Sequence, residues 1–474
     1  MNVRDEAKTR LEEKTRHRSF RPGISTSARH AAVVLFLIGV VCFFGAVLAV
    51  SNLRLVSLFG FSSAALLFIS AVVARRHPFF LLFCLTFCLF HFGLLPLYGL
   101  HLSSPNAGFL FWYQTDAGRY AILASGMFLI GLHLSVIFEA SPVLTAPDAA
   151  RTDDADVLVY RIALAALCLG CAIWAVYMLA NGVSNYREYV AHFSGSVWGN
   201  RVIRAAYSLI AAAAFLCALY GRRPLAAGLV FALWGAAVFI LGPRNEVVLP
   251  GLIVVAILVA RGLLRLPWWG WSAAVVVVLT ASSAAALVRW DATELSRLAA
   301  ASPLAGLGEL GWSLRPVVVV LEWIEAGDPL RWGQTYVAPF DRYIGSVLPG
   351  WNRVPAAEDM RLMNVLVADR VGTIGFSIVA EAIINFGIWA LMPLGFLVGS
   401  VVTLAGRLVV SRRAIILALP VLVLLFVHIR QSWATSVAMS MFVFFALLAL
   451  MIPIAVARYV WPWLMTIWGK NARA

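Results

Sequence analysis

Charge is what this sequence has least of. Of its 474 residues only 13% are Asp, Glu, Lys or Arg, 62% are hydrophobic, and the mean hydropathy is +0.88. Soluble globular domains hold about a quarter charged and about half apolar residues, so a multi-pass membrane protein is expected. Cysteine is scarce and chemically silent. All six (Cys42, Cys84, Cys88, Cys168, Cys171, Cys217) fall inside apolar segments, where they serve as small hydrophobes rather than disulfides or metal ligands. The sequence also lacks HExxH, a Walker A loop, a dinucleotide glycine fingerprint and G-x-S-x-G, and its eight histidines form no ligand spacing. No metal or other cofactor is therefore expected, and a reaction must take its driving force from the substrate. The net charge of +14 comes without a basic amphipathic face or an aromatic-studded RNA motif, so no nucleic acid partner is expected.

What the chain does have is long apolar runs. A spanning helix needs about 20 mostly apolar residues, and such windows give an all-α polytopic membrane protein with about 12 transmembrane helices. Nine fall within 31–289 and three within 374–457, the latter near 374–405, 413–430 and 433–456. Before them, residues 1–30 form a basic tail carrying Arg4, Lys8, Arg10, Lys14, Arg16, Arg18, Arg21 and Arg29, with no convincing cleavage site after the first run. After them comes a short tail, 458–474. Short inner loops are enriched in Lys and Arg, and Arg75, Arg76, Arg222, Arg223, Arg261, Arg265, Arg407, Arg412 and Arg413 alternate accordingly. Both termini are thus expected in the cytoplasm. The loop 139–156 falls on that side yet is acidic, though acidic residues weigh little in the rule. Residues 290–373, too many for a mere connector, are expected to form a large extracytoplasmic loop with short helices that caps the bundle.

Polar residues that interrupt the apolar pattern are the candidate site. In "LGPRNEVVLPG", Arg244 sits at the outer mouth of a span beside Asn245, a candidate N-cap, where helix N–H groups and a guanidinium suit a phosphate. The ordinary reading is an arginine snorkelling to headgroups beside Glu246, a residue type that favours the first helical turn. In "GTIGFSIVAEAIINFG", Ser377, Glu381 and Asn385 recur every four residues and so share a helix face, and carboxylates within membranes usually face a polar interior. A buried Glu bonded to a neighbouring helix is the plainer alternative. The stretch "LLFVHIRQSWATS" adds His428 and Arg430 at an outer helix end, and the cap adds Glu309, Arg315, Glu322, Asp341 and Arg342. Each cap charge alone reads as a solvated loop residue. Arginines from three chain regions on one side of the bilayer, with carboxylates, fit a site for a lipid-anchored, strongly anionic substrate.

These motifs resemble those of the oligosaccharide repeat unit polymerases, the O-antigen polymerase (Wzy-type) family. The likeness rests on "GPRNE" opening a span, "GELG" before Arg315, "GQTY" ending at Tyr336 ahead of a Pro-rich stretch, and "GFSIVAEAIINFG" entering the next span. The resemblance implies a GT-C-like, metal-independent glycosyltransferase of the bacterial inner membrane. It would join undecaprenyl-pyrophosphate-linked oligosaccharide repeat units into a surface polysaccharide (O-antigen, capsule or exopolysaccharide) at the outer face. Its implied partners are that lipid-linked substrate, membrane lipid, a chain-length regulator and a flippase. A pyrophosphate leaving group needs cationic donors, which Arg244, Arg315 and Arg430 can supply. The acceptor hydroxyl needs a base, with Glu381 or Glu309 as candidates and His428 a third, supported by Asn385, Ser377, Tyr336, Asp341 and Arg342. Two other readings stand beside it: an O-antigen ligase, which uses the same donor, and a lipid-linked-oligosaccharide flippase or transporter. A transporter predicts internal repeats and broken helices, neither visible in the sequence.

Overall fold

A computed structural model describes residues 26–102, 111–137, 154–195, 197–222, 224–241, 245–290, 301–348, 354–372 and 374–456. Arg244, the tail up to residue 25 and most of the acidic 139–156 loop lie outside the described residues. Among the described residues all regular structure is helical. The first half comprises α1 (Thr26–Leu48), α2 (Leu53–Val73), α3 (Pro78–Phe92), α4 (Leu94–Gly99), α5 (Asp116–Ile137), α6 (Asp154–Ala180), α7 (Tyr186–Gly195) and α8 (Val197–Tyr220). Then come α9 (Leu225–Leu241), α10 (Asn245–Ala260), α11 (Trp268–Trp290), α12 (Pro303–Gly311), α13 (Arg315–Glu325), α14 (Gln334–Val347) and α15 (Met363–Val371). The chain closes with α16 (Ile378–Phe386), α17 (Leu391–Val410), α18 (Ile415–His428) and α19 (Trp433–Ala455). Nine described segments are long and apolar enough to cross a membrane, and α3, α9, α10 and α18 are shorter apolar helices.

Local chemistry sets many of the ends. Asn52 caps α2 by accepting from the Arg54 and Leu55 N–H groups, and Pro78 occupies the first position of α3, where a missing N–H costs nothing. Burial then sorts the helices. In α8 78% of the apolar window is buried against 22% in α11, which makes α8 a central helix and leaves α11 to face lipid. On α9, Leu225, Leu229 and Leu233 recur every four residues and are all exposed, an apolar stripe of the kind that suits a lipid environment. Apolar burial cannot drive association in hydrocarbon, so close backbone approach matters instead. Gly395 and Gly399 of α17 press on α5: a methyl group on Gly395 would run into the Phe128 carbonyl, and one on Gly399 into the Leu132 carbonyl.

The bundle has two chemically distinct ends. At one, Arg412 reaches Asp156 at 2.7 Å and the Leu219 carbonyl at 3.2 Å while stacking on Tyr220. Arg261 donates to the Ala218 and Gly221 carbonyls at the same end, and Arg76 to Ile137. Asp156, from the acidic loop that dissented in the charge pattern, is therefore gathered with the arginines of three other loops. At the opposite end start α5, α8, α10, α17 and α19. Exposed tryptophans mark both levels: Trp268, 81% exposed, opens α11 at the arginine-rich end, and Trp389, 83% exposed, precedes α17 at the other. Indole rings favour membrane interfaces, and the 20 residues of α17 between those levels span about 30 Å, one hydrocarbon thickness.

Two departures from the expected plan matter for the site. The stretch 374–405, expected as one span, is broken: α16 stops at Phe386 because Gly387 adopts φ +78°, and a short 3-10 turn leads into α17. Within 290–373, α12, a 3-10 turn and α13 form a continuous 23-residue run, Pro303–Glu325, that is itself long and apolar enough to cross a membrane and is mostly buried against neighbouring helices. Of the remaining described residues, α14 and α15 lie over the bundle end, held by ion pairs. Arg361 bonds Asp359 at 2.9 Å and Asp341 at 2.8 Å, and Arg342 lies 3.5 Å from Asp359.

Candidate functional site

The centre of that end is a polar knot around α16. Ser377 is extended and caps the helix, its hydroxyl accepting the Ala380 N–H at 3.2 Å. Next to last in the helix, Asn385 has both its side-chain amide and its carbonyl engaged. Its amide donates to Thr335 Oγ1 and to the Glu381 carbonyl, both at 2.7 Å; its side-chain oxygen accepts the Gly333 N–H at 2.9 Å; its carbonyl accepts the Trp332 N–H at 3.0 Å. The loop that launches α14 is thus pinned to α16. This explains the Asn-x-Gly pattern: the Asn side chain locks the cap loop and Gly387 turns the chain away.

Glu381, one turn earlier on the same face, also reaches the neighbouring helix. Its Oε2 accepts the Trp433 N–H at 2.6 Å, the first turn of α19, and its carboxyl group also bonds the Thr335 hydroxyl. His428 Nδ1 lies 4.0 Å from the same Oε2 and 2.9 Å from the Gln431 carbonyl. Tyr336 stacks on Phe386, meets Trp433 edge-on at 5.3 Å, and accepts the Trp433 indole N–H at its carbonyl at 3.0 Å. Burial pushes the Tyr336 phenol well above its usual range, with Glu381 adding to the shift. Glu381, His428, Tyr336, Ser377 and Asn385, expected together, are therefore brought together, but Glu381 and His428 are each 1% exposed and line neither of the cavities below.

The accessible polar space lies on the far side of the α18–α19 turn. A cavity of about 190 Å³ is lined by Arg204, Tyr207 and Ser208 of α8, Asn245 and Glu246 of α10, Gln431 in the turn and Thr435 of α19, with Leu249, Val427, Met439 and Phe442 completing an apolar remainder. A second, of about 370 Å³, shares Arg204 and Thr435 and extends under the cap to Arg342, Tyr343 and Ser346 of α14 and to Asn364. Arg204 is held by Asn200 one turn away and shares the wall of the smaller cavity with Glu246 and that of the larger with Tyr343. The two residues that follow Arg244 in the chain thus line the smaller cavity, while Arg244 itself lies outside the described residues. Asp341 is one step back, in the Arg361 ion pair.

Arg430 and Arg315 go elsewhere. Arg430 lies 5.3 Å over the Phe90 ring of α3, and Arg315 5.8 Å over Trp312, in the turn that packs on Gly93 and Leu94 just beyond α3. The two share the end of α3 rather than the cavity wall. Glu309, half-buried on α12, lines neither cavity. Arg204 and Glu246 were not among the expected site residues. Arg204 sits inside an apolar window, and its one sequence signal is that Asn200, Arg204 and Ser208 recur every four residues; Glu246 reads from sequence as a first-turn residue.

An all-helical, multi-pass membrane protein with a cavity at one end of the bundle that holds an arginine and a glutamate, beside a loop-derived cap, is the class these features define. The family model for O-antigen polysaccharide polymerase Wzy matches residues 30–459, and the chain belongs to that family. The chain is also 26% identical over 147 residues to Protein CapE of Staphylococcus aureus, a match covering 31% of this chain and 32% of that protein's length. No solved structure matches the chain.

Proposed function

We propose that this protein polymerises lipid-linked oligosaccharide repeat units, transferring a growing glycan from undecaprenyl pyrophosphate to a hydroxyl of a second lipid-linked unit. The end where the short loops carry Arg75, Arg76, Arg222, Arg261, Arg265, Arg412 and Arg413 then faces the cytoplasm and the cavity end the outer surface, as the bias of short loops towards Lys and Arg favours. The observation that carries the reading is one cavity, at the cap end of the bundle, whose wall holds both a guanidinium on α8 and a carboxylate on α10.

In the proposed reaction the acceptor oxygen bonds the donor's C1 as the bond from C1 to the pyrophosphate oxygen breaks. The electron pair leaves on the pyrophosphate and the acceptor's proton passes to Glu246. Arg204 meets the developing phosphate charge with directed donors in a partly desolvated wall, where such bonds are about twice as strong as neutral ones. Arg244, adjoining Asn245 and Glu246 in the chain, is assigned the same leaving group. Arg315 and Arg430, on the other side of the turn, are assigned to the donor's approach rather than to C1. Glu381, His428, Asn385 and Tyr336 hold the α18–α19 turn and the cap loop that carry the cavity wall.

The test is a gel. Purified protein in liposomes, given lipid-linked repeat unit, is expected to produce a ladder of products, and stably inserted Arg204→Ala and Glu246→Gln proteins are expected to stop it. A full ladder from both variants, or substrate that crosses the bilayer unchanged, would overturn the reading.

A further inference from the structure

The larger cavity has a composition of its own. Its cap wall is α14, which presents Arg342, Tyr343 and Ser346; Asn364 closes one side, and Arg204 and Thr435 form the boundary with the smaller cavity. Its volume of about 370 Å³ falls in the range of small-ligand pockets. We propose that it binds the acceptor glycan's terminal sugar, and that Tyr343, Asn364 and Ser346 determine which sugar is accepted. The proposal rests on the reading of the Arg204 cavity as the leaving-group site.

Adjacency is the first argument. Transfer requires the attacking hydroxyl within about 3–3.5 Å of C1, so the acceptor has to occupy space continuous with that of the leaving group. The larger cavity meets this condition through the shared Arg204 and Thr435 walls. Chemistry is the second. The Tyr343 ring offers a flat apolar surface to the C–H face of a pyranose, the Asn364 amide can donate and accept, and the Ser346 hydroxyl, whose proton goes to the Tyr343 carbonyl at 2.6 Å, can accept from a sugar hydroxyl. Rigidity is the third. Arg342 donates to the Val354 carbonyl at 2.7 Å and faces Asp359, which is itself bonded by Arg361; Asn364 is met by Ser432 at 3.4 Å. The Tyr343, Ser346 and Asn364 side chains are open to solvent until a sugar covers them, so a wall held in this way discriminates by leaving a newly covered donor or acceptor unpaired when the wrong hydroxyl pattern enters.

The test separates acceptor from donor. Full-length protein in liposomes is given lipid-linked repeat unit as donor and, at rising concentration, the lipid-free oligosaccharide released from that same intermediate as acceptor. Tyr343→Ala and Asn364→Ala are expected to raise the acceptor KM about tenfold each, the worth of one lost contact, while the Kd for undecaprenyl pyrophosphate stays within about twofold. Tyr343→Phe, which keeps the ring, is expected to recover most of the acceptor KM lost in Tyr343→Ala, which separates loss of the ring contact from misfolding. An unchanged acceptor KM in both alanine variants, or a loss of undecaprenyl pyrophosphate binding as large as the loss in Arg204→Ala, would overturn the proposal. If Arg204→Ala keeps its affinity for undecaprenyl pyrophosphate, the leaving-group reading fails whatever the acceptor KM does.

Discussion

Replacing Glu381 separates two roles that the sequence left together, base and support. The carboxyl oxygen accepts the Trp433 N–H at 2.6 Å inside a protein core, at a residue 1% exposed. Alanine removes the acceptor and strands a buried N–H, a cost of about 1–3 kcal/mol, with more for the space left behind. Glutamine keeps an oxygen in the same place. A neutral hydrogen bond contributes about 1 kcal/mol, so most of the support survives. The sensitive assay is amide hydrogen exchange across residues 429–436. With local opening as the route, Glu381→Ala is expected to speed exchange there by about 5–150-fold, and Glu381→Gln to change it by less than about fivefold. Polymer yield should follow exchange: Gln near wild type, Ala impaired. A Gln variant with native exchange and no polymer would refute this reasoning, because the carboxyl group would then be needed for its proton chemistry and not for the turn it holds.

The other expectations are briefer. Asp359, 2% exposed, is held below the usual carboxylate range, first by its hydrogen bonds from Arg361. A depressed folded value adds stability above the unfolded value, near pH 3.9, that is lost as pH falls through the folded one; the stability gap between wild type and Asp359→Asn, followed by intrinsic fluorescence on heating, should therefore close below about pH 4. Gly399→Val forces α17 away from the Leu132 carbonyl of α5, and a loss of about 1–3 kcal/mol should appear as lower yield of detergent-stable protein. A double-mutant cycle on Asp156→Asn and Arg412→Gln should give a coupling of about 0.5–3 kcal/mol in unfolding, whereas additive effects would mean that their 2.7 Å contact contributes nothing.

Most of the helical plan was legible because crossing a bilayer imposes a local rule: about 20 apolar residues, polar ends, and basic residues on one side. The Asn385-Phe386-Gly387 pattern stood out for the same local reason, since a polar amide and a turn-forming glycine interrupt an apolar run. What each does was not legible. Asn385 bonds a loop some fifty residues earlier, and Glu381 a backbone N–H in another helix, pairings that no spacing along the chain encodes.

The sequence by itself determined the solvent, the helices and the end of the bundle where the polar groups gather. Tertiary structure decided which of those groups share a cavity. Arg315 and Arg430, conspicuous along the chain, settle on aromatic rings at the end of α3, while Arg204, hidden in an apolar window, is carried to Glu246 and Tyr343. The physical reason is that a lone charge near hydrocarbon is visible in one dimension, but its partners are fixed by how α8, α10, α14 and α19 pack in three.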